Sequence, residues 1–469
     1  MSRHVLIVGG GITGLALAHR LSMLARNGGA SARTITLVEA RAAVGGNIRT
    51  ERRDGFVIEG GPDSFVAAKP EATALCRELG LGDRLIGTTK ENRQAFVAKK
   101  GRLHPLPEGV VLTIPTRVLP LVKTPLLSWR GKLRMALDLA VPRGAVDDES
   151  LGAFIRRRLG DEALTELAEP LLGGIYAGDV DRLSVRSTFP QLVGYEERHR
   201  SLIRGALAMR RAAAARASGK EAPSAFATLR GGMSELVTAL ERRLRDAGVQ
   251  LRLGTRVASV AREGARFMAR LEGDSGELGS IAADEVVFTS PAYASASALR
   301  SLDAELAQAL DQTPYVSTGT ISLAFERDAI AHPLNGVGII LSKREKRRIL
   351  AATFSSSKWA ERAPSGHALL RVFVGGHHQP DALSQTDEAL IALAQDELGS
   401  LLQIRSAPLF ARVFRYERSN PQPVVGHAAR LASVRDRAPE GLHFAGAAFD
   451  GVGIPDCIRQ ANEVAERLA

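Results

Sequence analysis

The sequence predicts an α/β fold. An open, mainly parallel sheet is assembled from both ends of the chain and a middle piece, an α+β unit is interleaved with it, and a helical insertion lies between. Three observations predict this. A strand, a glycine-rich turn, a helix and a second strand ending in an acid follow one another within the first 40 residues. Strand-and-helix texture returns after Phe226, and Gly441–Ala469 closes the chain as strand, glycine turn and helix. The residues between are helical in texture or proline-rich.

At the N-terminus, His4–Val8 is a short apolar run of the kind buried in parallel sheets. Gly9-Gly10-Gly11-Ile12-Thr13-Gly14 follows, then Leu15, Leu17, Ala18, Leu21 and Leu24 at helical spacing, and Thr34–Val38 leads to Glu39. Each glycine has its own physical role. Gly9 permits the tight turn, Gly11 lets the backbone approach a pyrophosphate, and Gly14 lets the helix pack on the strand. The helix N-terminus offers N–H groups to phosphate. Glu39 suits ribose hydroxyls and disfavours a 2′-phosphate, which points to FAD or NAD rather than NADP.

Pro105–Pro125 reads as irregular, Trp129–Leu139 and Ser150–Leu172 as helices with Asp148 or Ser150 as N-cap, and Arg211–Ser224 as a mobile linker. Strands are expected at Val249–Leu253, Arg256–Val260, Glu285–Thr289, 315–326 and Leu369–Val374. Helices are expected from Gly231-Gly232-Met233 to Arg245 and over Asp387–Leu402.

Composition narrows the class. The 469 residues are 45% apolar and 24% charged, ordinary for a globular chain and unlike a disordered or fibrous one. With Cys76 and Cys457 alone, a disulfide scaffold is excluded. No apolar run is long enough to span a membrane, and no signal peptide is read. Arginine supplies 52 of the 62 basic residues, and the net charge of +11 fits either a solvated basic surface or attraction to anions. Nucleic acid is not expected, because zinc-finger spacing and stacking aromatics are missing. No metal-ligand spacing is present.

Four further segments carry chemistry. Glu39-Ala40-Arg41-Ala42-Ala43-Val44-Gly45-Gly46-Asn47-Ile48-Arg49 places a glycine pair and an arginine just after the ribose acid. Gly55–Phe65 contains Gly60-Gly61-Pro62-Asp63-Ser64. Gly173-Gly174-Ile175-Tyr176-Ala177-Gly178-Asp179 lies in the helical middle, followed by Arg198-His199-Arg200-Ser201-Leu202. The fourth is Phe444-Ala445-Gly446-Ala447-Ala448-Phe449-Asp450-Gly451-Val452-Gly453-Ile454-Pro455-Asp456-Cys457-Ile458, where a helix starts near Pro455. On these strings the chain resembles, over essentially its whole length, the bacterial protoporphyrinogen/coproporphyrinogen oxidases of the flavin amine oxidase superfamily.

The resemblance implies a Rossmann-like (GR2-type) FAD domain over 1–90, 221–290 and 420–469. It also implies a substrate domain over 91–105 and 291–419, and a helical domain over 106–220 that contacts membrane in some members. It implies noncovalent FAD and an O2-using, six-electron oxidation of a porphyrinogen to a porphyrin, with three H2O2 formed. Cofactor contacts carry over to Gly9, Gly11, Thr13, Gly14, Glu39, Ala40, Asn47, Gly61, Pro62, Asp63, Ser64, Val257, Ala447, Val452, Gly453 and Ile454. Substrate positioning carries over to Lys69, Phe373 and Ile340, with Thr353 where the second half of an aliphatic clamp is usually Leu. The expected partners are the porphyrinogen, O2, other haem-pathway enzymes and an anionic membrane surface, the last touched by the basic segment 198–216. The expected location is cytoplasmic, peripheral where membrane is met.

Ala95 stands where many protoporphyrinogen enzymes have a propionate-pairing arginine, and Arg93 replaces it only if the strand is regular. Lys69, Leu103-His104-Pro105-Leu106-Pro107 and Ser357-Lys358-Trp359 look like the Gram-positive type that acts on coproporphyrinogen III, whose four carboxylates demand a more basic site. Protoporphyrinogen IX is the alternative substrate. An amine oxidase or desaturase is the more distant one; amines want an aromatic cage, and the chain has five Tyr and two Trp. Cys457 reads as a buried thiol, and His377 and His378 as a surface loop.

Overall fold

The computed structural model describes residues 3–26, 33–111, 113–144, 146–216 and 224–469. The parallel sheet has five strands in the order Gln250–Arg252, Arg33–Val38, Arg3–Val8, Glu285–Phe288 and Leu442–Phe444. The first strand shows why the sheet sits where it does. Val5 and Ile7 enter one core with the helices Ile12–Arg26, Ser234–Asp246 and Ile454–Leu468. Leu6 and Val8 enter the opposite core, under the antiparallel meander Thr255–Ala283 and the helix Ala292–Leu299. Alternation of period two thus buries both faces. The chain leaves the central strand in opposite directions, to Arg33–Val38 on one side and Glu285–Phe288 on the other, so a crevice opens at the carboxyl ends of the strands.

A second sheet has seven strands, ordered Phe410–Pro421, Tyr315–Glu326, His367–Gly375, Ala351–Phe354, Gly338–Leu341, Ala95–Lys99 and Arg102–Pro105. All neighbours are antiparallel except Gly338–Leu341 with Ala95–Lys99. One face packs on the helix Asp387–Leu402 through Leu390, Leu393 and Leu398 against Ile321, Leu323 and Val372. Its other face looks toward Gly60-Gly61 and the helical insertion, whose own core is built from Phe154, Leu167, Tyr176 and Leu192.

Three expectations are corrected. Pro105–Pro125 is ordered as a small hairpin, Val110–Val111 with Ile114–Pro115, followed by the helix Val118–Lys123. The stretch Ser150–Leu172 is not one helix. Ser150 caps Leu151–Leu159, its side chain accepting from Ala153 N. Gly160 (φ +94°) then breaks the run, and Leu164–Gly173 winds as a π-helix with Pro170 inside it. Asp148 is not the cap; its Oδ1 accepts from Ser184 Oγ at 2.6 Å. Residues 211–216 continue the helix Leu202–Arg216, and the rest of the expected linker, 217–223, lies outside the described residues. Among the described residues no helix is long and apolar enough to cross a membrane.

Candidate cofactor and substrate site

The glycine loop after the first strand is closed on itself and open above. A Cβ on Gly14 would lie 2.0 Å from the Gly9 carbonyl oxygen, and one on Gly9 2.9 Å from Ser290 N. A Cβ on Gly11 would meet nothing within 4 Å. The space over Gly11 is therefore free for a ligand, while Gly9 and Gly14 hold strand and helix together. Gly45 N donates to Gly10 O at 2.8 Å, which lays the second glycine pair beside the first loop. Asn47 O lies so close to Gly61 that a Cβ there would be 1.7 Å away.

Glu39 sits at the expected strand end. Its Oε2 accepts from Gly10 N at 2.6 Å and its Oε1 from Arg41 N at 2.8 Å, so it also braces the loop. Thr255 N donates to Glu39 O at 2.9 Å and Gly254 N to Arg41 O at 2.9 Å. These bonds bring Val257 alongside Glu39 and the exposed Ala40. At the other end of the crevice, Gly446 N donates to Gln460 Oε1 at 3.0 Å, and Thr13 Oγ1 would lie 3.5 Å from a Cβ on Gly446. Ala447, Gly453 and Ile454 follow on the same loop, and Val452 packs against the helical core.

Cross-strand register places the substrate-side residues. Val97, Ile340, Ala351, Phe373, Thr320 and Phe414 form one row across the seven-stranded sheet. The next row on the same face is Ala95, Gly338, Thr353, Arg371, Ser322 and Arg412. Ile340, Thr353 and Phe373 are thus brought onto one face, with Ala95 at its edge. Arg93 precedes the strand and is exposed, so the regular strand that would let it replace Ala95 does not reach it. The face is tied to the glycine segment at its centre. Thr320 Oγ1 and Arg371 Nη2 each donate to Gly60 O at 2.8 Å, and Arg371 donates to Gly61 O as well. The Arg371 guanidinium lies 4.8 Å from the Phe373 ring centroid.

Lys69 is paired elsewhere than with the residues of that face. Its Nζ donates to both carboxylate oxygens of Asp456, each at 2.6 Å. Asp63 is also engaged: Oδ2 accepts from Lys358 Nζ at 2.9 Å and Trp359 Nε1 at 3.0 Å, and Oδ1 from Ser64 Oγ at 2.7 Å. Burial works to raise the Asp63 carboxyl, but Lys358 and Arg371 prevail and hold it well below the usual carboxylate range. Pro62, beside it, is half-buried.

A family model described as flavin containing amine oxidoreductase matches residues 12–469. The chain belongs to the flavin-containing amine oxidoreductases. It is 38% identical to a coproporphyrinogen III oxidase of Bacillus subtilis (strain 168), across 98% of this chain and 96% of that protein. It is 37% identical to a coproporphyrinogen III oxidase of Propionibacterium freudenreichii, across 99% and 90%. A chloroplastic protoporphyrinogen oxidase of Nicotiana tabacum is 31% identical, across 98% and 84%. A crystal structure from Exiguobacterium sp. 255-15, assigned provisionally as a protoporphyrinogen oxidase, superposes with a TM-score of 0.85 at 35% identity, covering 100% and 99% of the two chains.

A flavin family explains features that sequence reading left unassigned. Arg371, two residues before Phe373 on the same strand face, was legible only as strand alternation. Asp456 was legible only as an acid in a helix first turn. Lys358 and Trp359 stand out in sequence as a string, and both side chains serve Asp63. Cys457 is buried, and burial pushes its thiol up to about 11. His377 and His378 lie in a turn after the strand His367–Gly375, partly exposed as expected, and make local contacts. His377 N donates to Ala177 O at 2.8 Å, and its ring lies 3.5 Å from Asp179. His378 lies 3.8 Å from Glu169. Asp179, distant in sequence, is therefore a neighbour of His377. Among the described residues no group of three His, Cys, Asp or Glu side chains is placed to hold a metal.

Proposed function

We propose that the chain is an FAD-dependent coproporphyrinogen III oxidase, converting coproporphyrinogen III and three O2 to coproporphyrin III and three H2O2. The observation that carries this reading is full-length similarity to coproporphyrinogen III oxidases at up to 38% identity. The open space over Gly11 and the acid at Glu39 support FAD, which in this reading is held noncovalently in that cradle.

In this reading residues 1–90, 221–290 and 420–469 hold FAD, 91–105 and 291–419 receive the substrate, and 106–220 form the helical domain. Bound FAD supplies the two-electron acceptor that O2 reoxidises, three times per macrocycle. The chain's own residues bind and orient. Gly9, Gly11, Thr13 and Gly14 meet the pyrophosphate; Glu39, Ala40 and Val257 meet the adenosine end. Asn47, Gly61, Pro62, Asp63, Ser64, Ala447, Val452, Gly453 and Ile454 line the ring end. Phe373 offers a flat apolar surface to a pyrrole, with Ile340 two strands away, about 10 Å at sheet spacing. Lys69 reaches a substrate carboxylate by leaving Asp456. Pyrrole N–H protons pass to water, and positioning supplies the rate enhancement.

Product fluorescence with the purified flavoprotein, O2 and each porphyrinogen in turn tests the assignment. A kcat/KM clearly higher for coproporphyrinogen III is expected. A preference for protoporphyrinogen IX transfers the reading to that substrate, and no rate above autoxidation sinks both.

For membrane contact, the helical domain offers a different surface from the one expected. Leu202 and Ala206 of the segment 198–216 are buried, and Arg210 donates to Thr116 O, so that segment spends its apolar face inward. Instead Val118, Leu119, Trp129, Leu133 and Leu137 are 56–77% exposed on adjacent short helices. Arg117, Lys123 and Arg130 accompany them, and no acid occurs between residues 109 and 137. Apolar side chains accompanied by cations, of which Arg117 also pairs with Glu108, suit an anionic bilayer surface. Co-sedimentation with anionic vesicles at low salt should recover the protein with the lipid and lose it for Leu119→Glu/Leu133→Glu; a protein that stays in the supernatant overturns the reading.

A further inference from the structure

The Lys69–Asp456 ion pair joins two segments 387 residues apart. Lys69 occupies the N-cap position of the helix Pro70–Glu78 and is half exposed. Asp456, in the first turn of the C-terminal helix, is only 16% exposed. Its carboxylate lies directly against the glycine loop. A Cβ on Gly451 would be 2.9 Å from Asp456 Cγ, and one on Gly453 would be 2.7 Å from Oδ2. The next residue, Cys457, meets Thr13 of the first helix through its thiol. Asp456 therefore lies against the backbone of Gly451 and Gly453, and its neighbour Cys457 reaches Thr13 of the first helix.

The charged and titratable groups facing Asp456 are few. Arg459 lies one turn along the same helix. Tyr176 approaches from the helical insertion; burial, and Asp456 after it, raise its phenol. Lys69 alone among these bonds the carboxylate directly, and it engages both oxygens. A charge fixed at this depth acts through a partly desolvated path, where Coulomb terms are several times their value in water.

We propose that Asp456 and Lys69 form an electrostatic module of the cofactor pocket. Asp456 is a positioning residue that anchors the Lys69 ammonium beside the loop Gly451–Gly453, and the balance of the two charges sets the flavin reduction potential. The inference rests on FAD filling the cradle described above and not on which porphyrinogen is oxidised. Reduction adds electron density to the flavin. A carboxylate left without its ammonium disfavours that density, and an ammonium left without its carboxylate favours it.

The test is the midpoint potential of the bound flavin, measured by dye equilibration at pH 7 without any porphyrinogen, in the wild-type holoenzyme and its variants. Lys69→Met is expected to lower the potential and Asp456→Asn to raise it. The double variant is expected to return toward wild type, and Lys69→Arg to stay near it. Shifts of the same sign in both single variants, or potentials all equal within error, overturn the proposal and leave the pair a structural tie. Asp456→Asn keeps the side-chain shape and decides the sign even if Lys69→Met loses flavin. A wild-type protein that binds no FAD would defeat the underlying reading separately, and substrate preference does not enter the measurement.

Discussion

Gly11 and Gly14 lie three residues apart in one loop and should fail differently. A side chain on Gly11 projects into open space, so Gly11→Val should yield folded protein with an unchanged apoprotein Tm that purifies colourless. A side chain on Gly14 collides with the Gly9 carbonyl, so Gly14→Val should lower the Tm of the apoprotein itself, the loss from overpacking being about 1–3 kcal/mol or more. Yellow, flavin-replete Gly11→Val would refute the cradle. Phe373 gives a complementary case. It is only half-buried, whereas its neighbours Val372 and Val374 are core residues. Phe373→Ala should keep the flavin spectrum and lose activity on porphyrinogen about tenfold or more in kcat/KM, consistent with removal of one aromatic contact. An unchanged kcat/KM would return Phe373 to a packing role.

At the scale of elements, the two halves of the molecule are pinned by buried polar struts as well as by apolar surface. Asp63 ties the glycine segment to Lys358 and Trp359 beyond the strand Ala351–Phe354. Lys358→Met removes the ammonium from a mostly buried carboxylate that keeps its Trp359 and Ser64 bonds, and should cost about 3 kcal/mol in urea unfolding. The sign of its pH dependence follows from the depressed Asp63 carboxyl: its stabilisation is present above the unfolded value near 4 and is lost only as pH falls through the much lower folded value. Histidines act in a milder range. Burial lowers His4, His332 and His427 from their ordinary value near 6.5. In each the folded state resists protonation, so stability present above about 6.5 declines as pH falls below it. His427 is 2% exposed at the start of the helix His427–Arg437. His427→Phe should flatten that decline between pH 6.5 and 5 in pH-dependent denaturation, and an unaltered slope would assign it to other groups.

At the scale of the whole molecule, the seven-stranded sheet is bonded to Gly60 of the glycine segment, and the helical insertion meets the end of that sheet through the Ala177–His377 bond. Breaking that contact should open the substrate side while leaving the cradle intact. Gly376→Val places a Cβ 2.5 Å from Ala177 O at a φ of +76°. It should raise KM with flavin retained, and steady-state kinetics beside a flavin absorbance ratio checks both halves of that statement.

Some contiguous patterns were legible in the sequence. The strand Tyr315–Glu326 and the helix Asp387–Leu402 fall where alternation and helical spacing place them; Gly319–Phe325 are buried on both faces of the strand, and the helix buries Leu390, Leu393, Ala394, Glu397, Leu398, Leu401 and Leu402. The strand–glycine–helix–strand unit and its closing acid were legible because the chemistry of phosphate and ribose demands those residue types at that spacing. Family membership followed from short strings for the same reason. Tertiary structure alone decided the rest. The hairpin and helix inside Pro105–Pro125, and the π-helix after Gly160, answer to packing against the helical core and not to local propensity. The alignment of Ile340, Thr353 and Phe373 depends on strand register, and the Arg371–Gly60 bond spans 311 residues of sequence. Lys69 found Asp456, and Asp179 found His377, by the same route. A residue's local pattern reports which face it turns to the core; which distant charge meets it there is set only when the cores have packed.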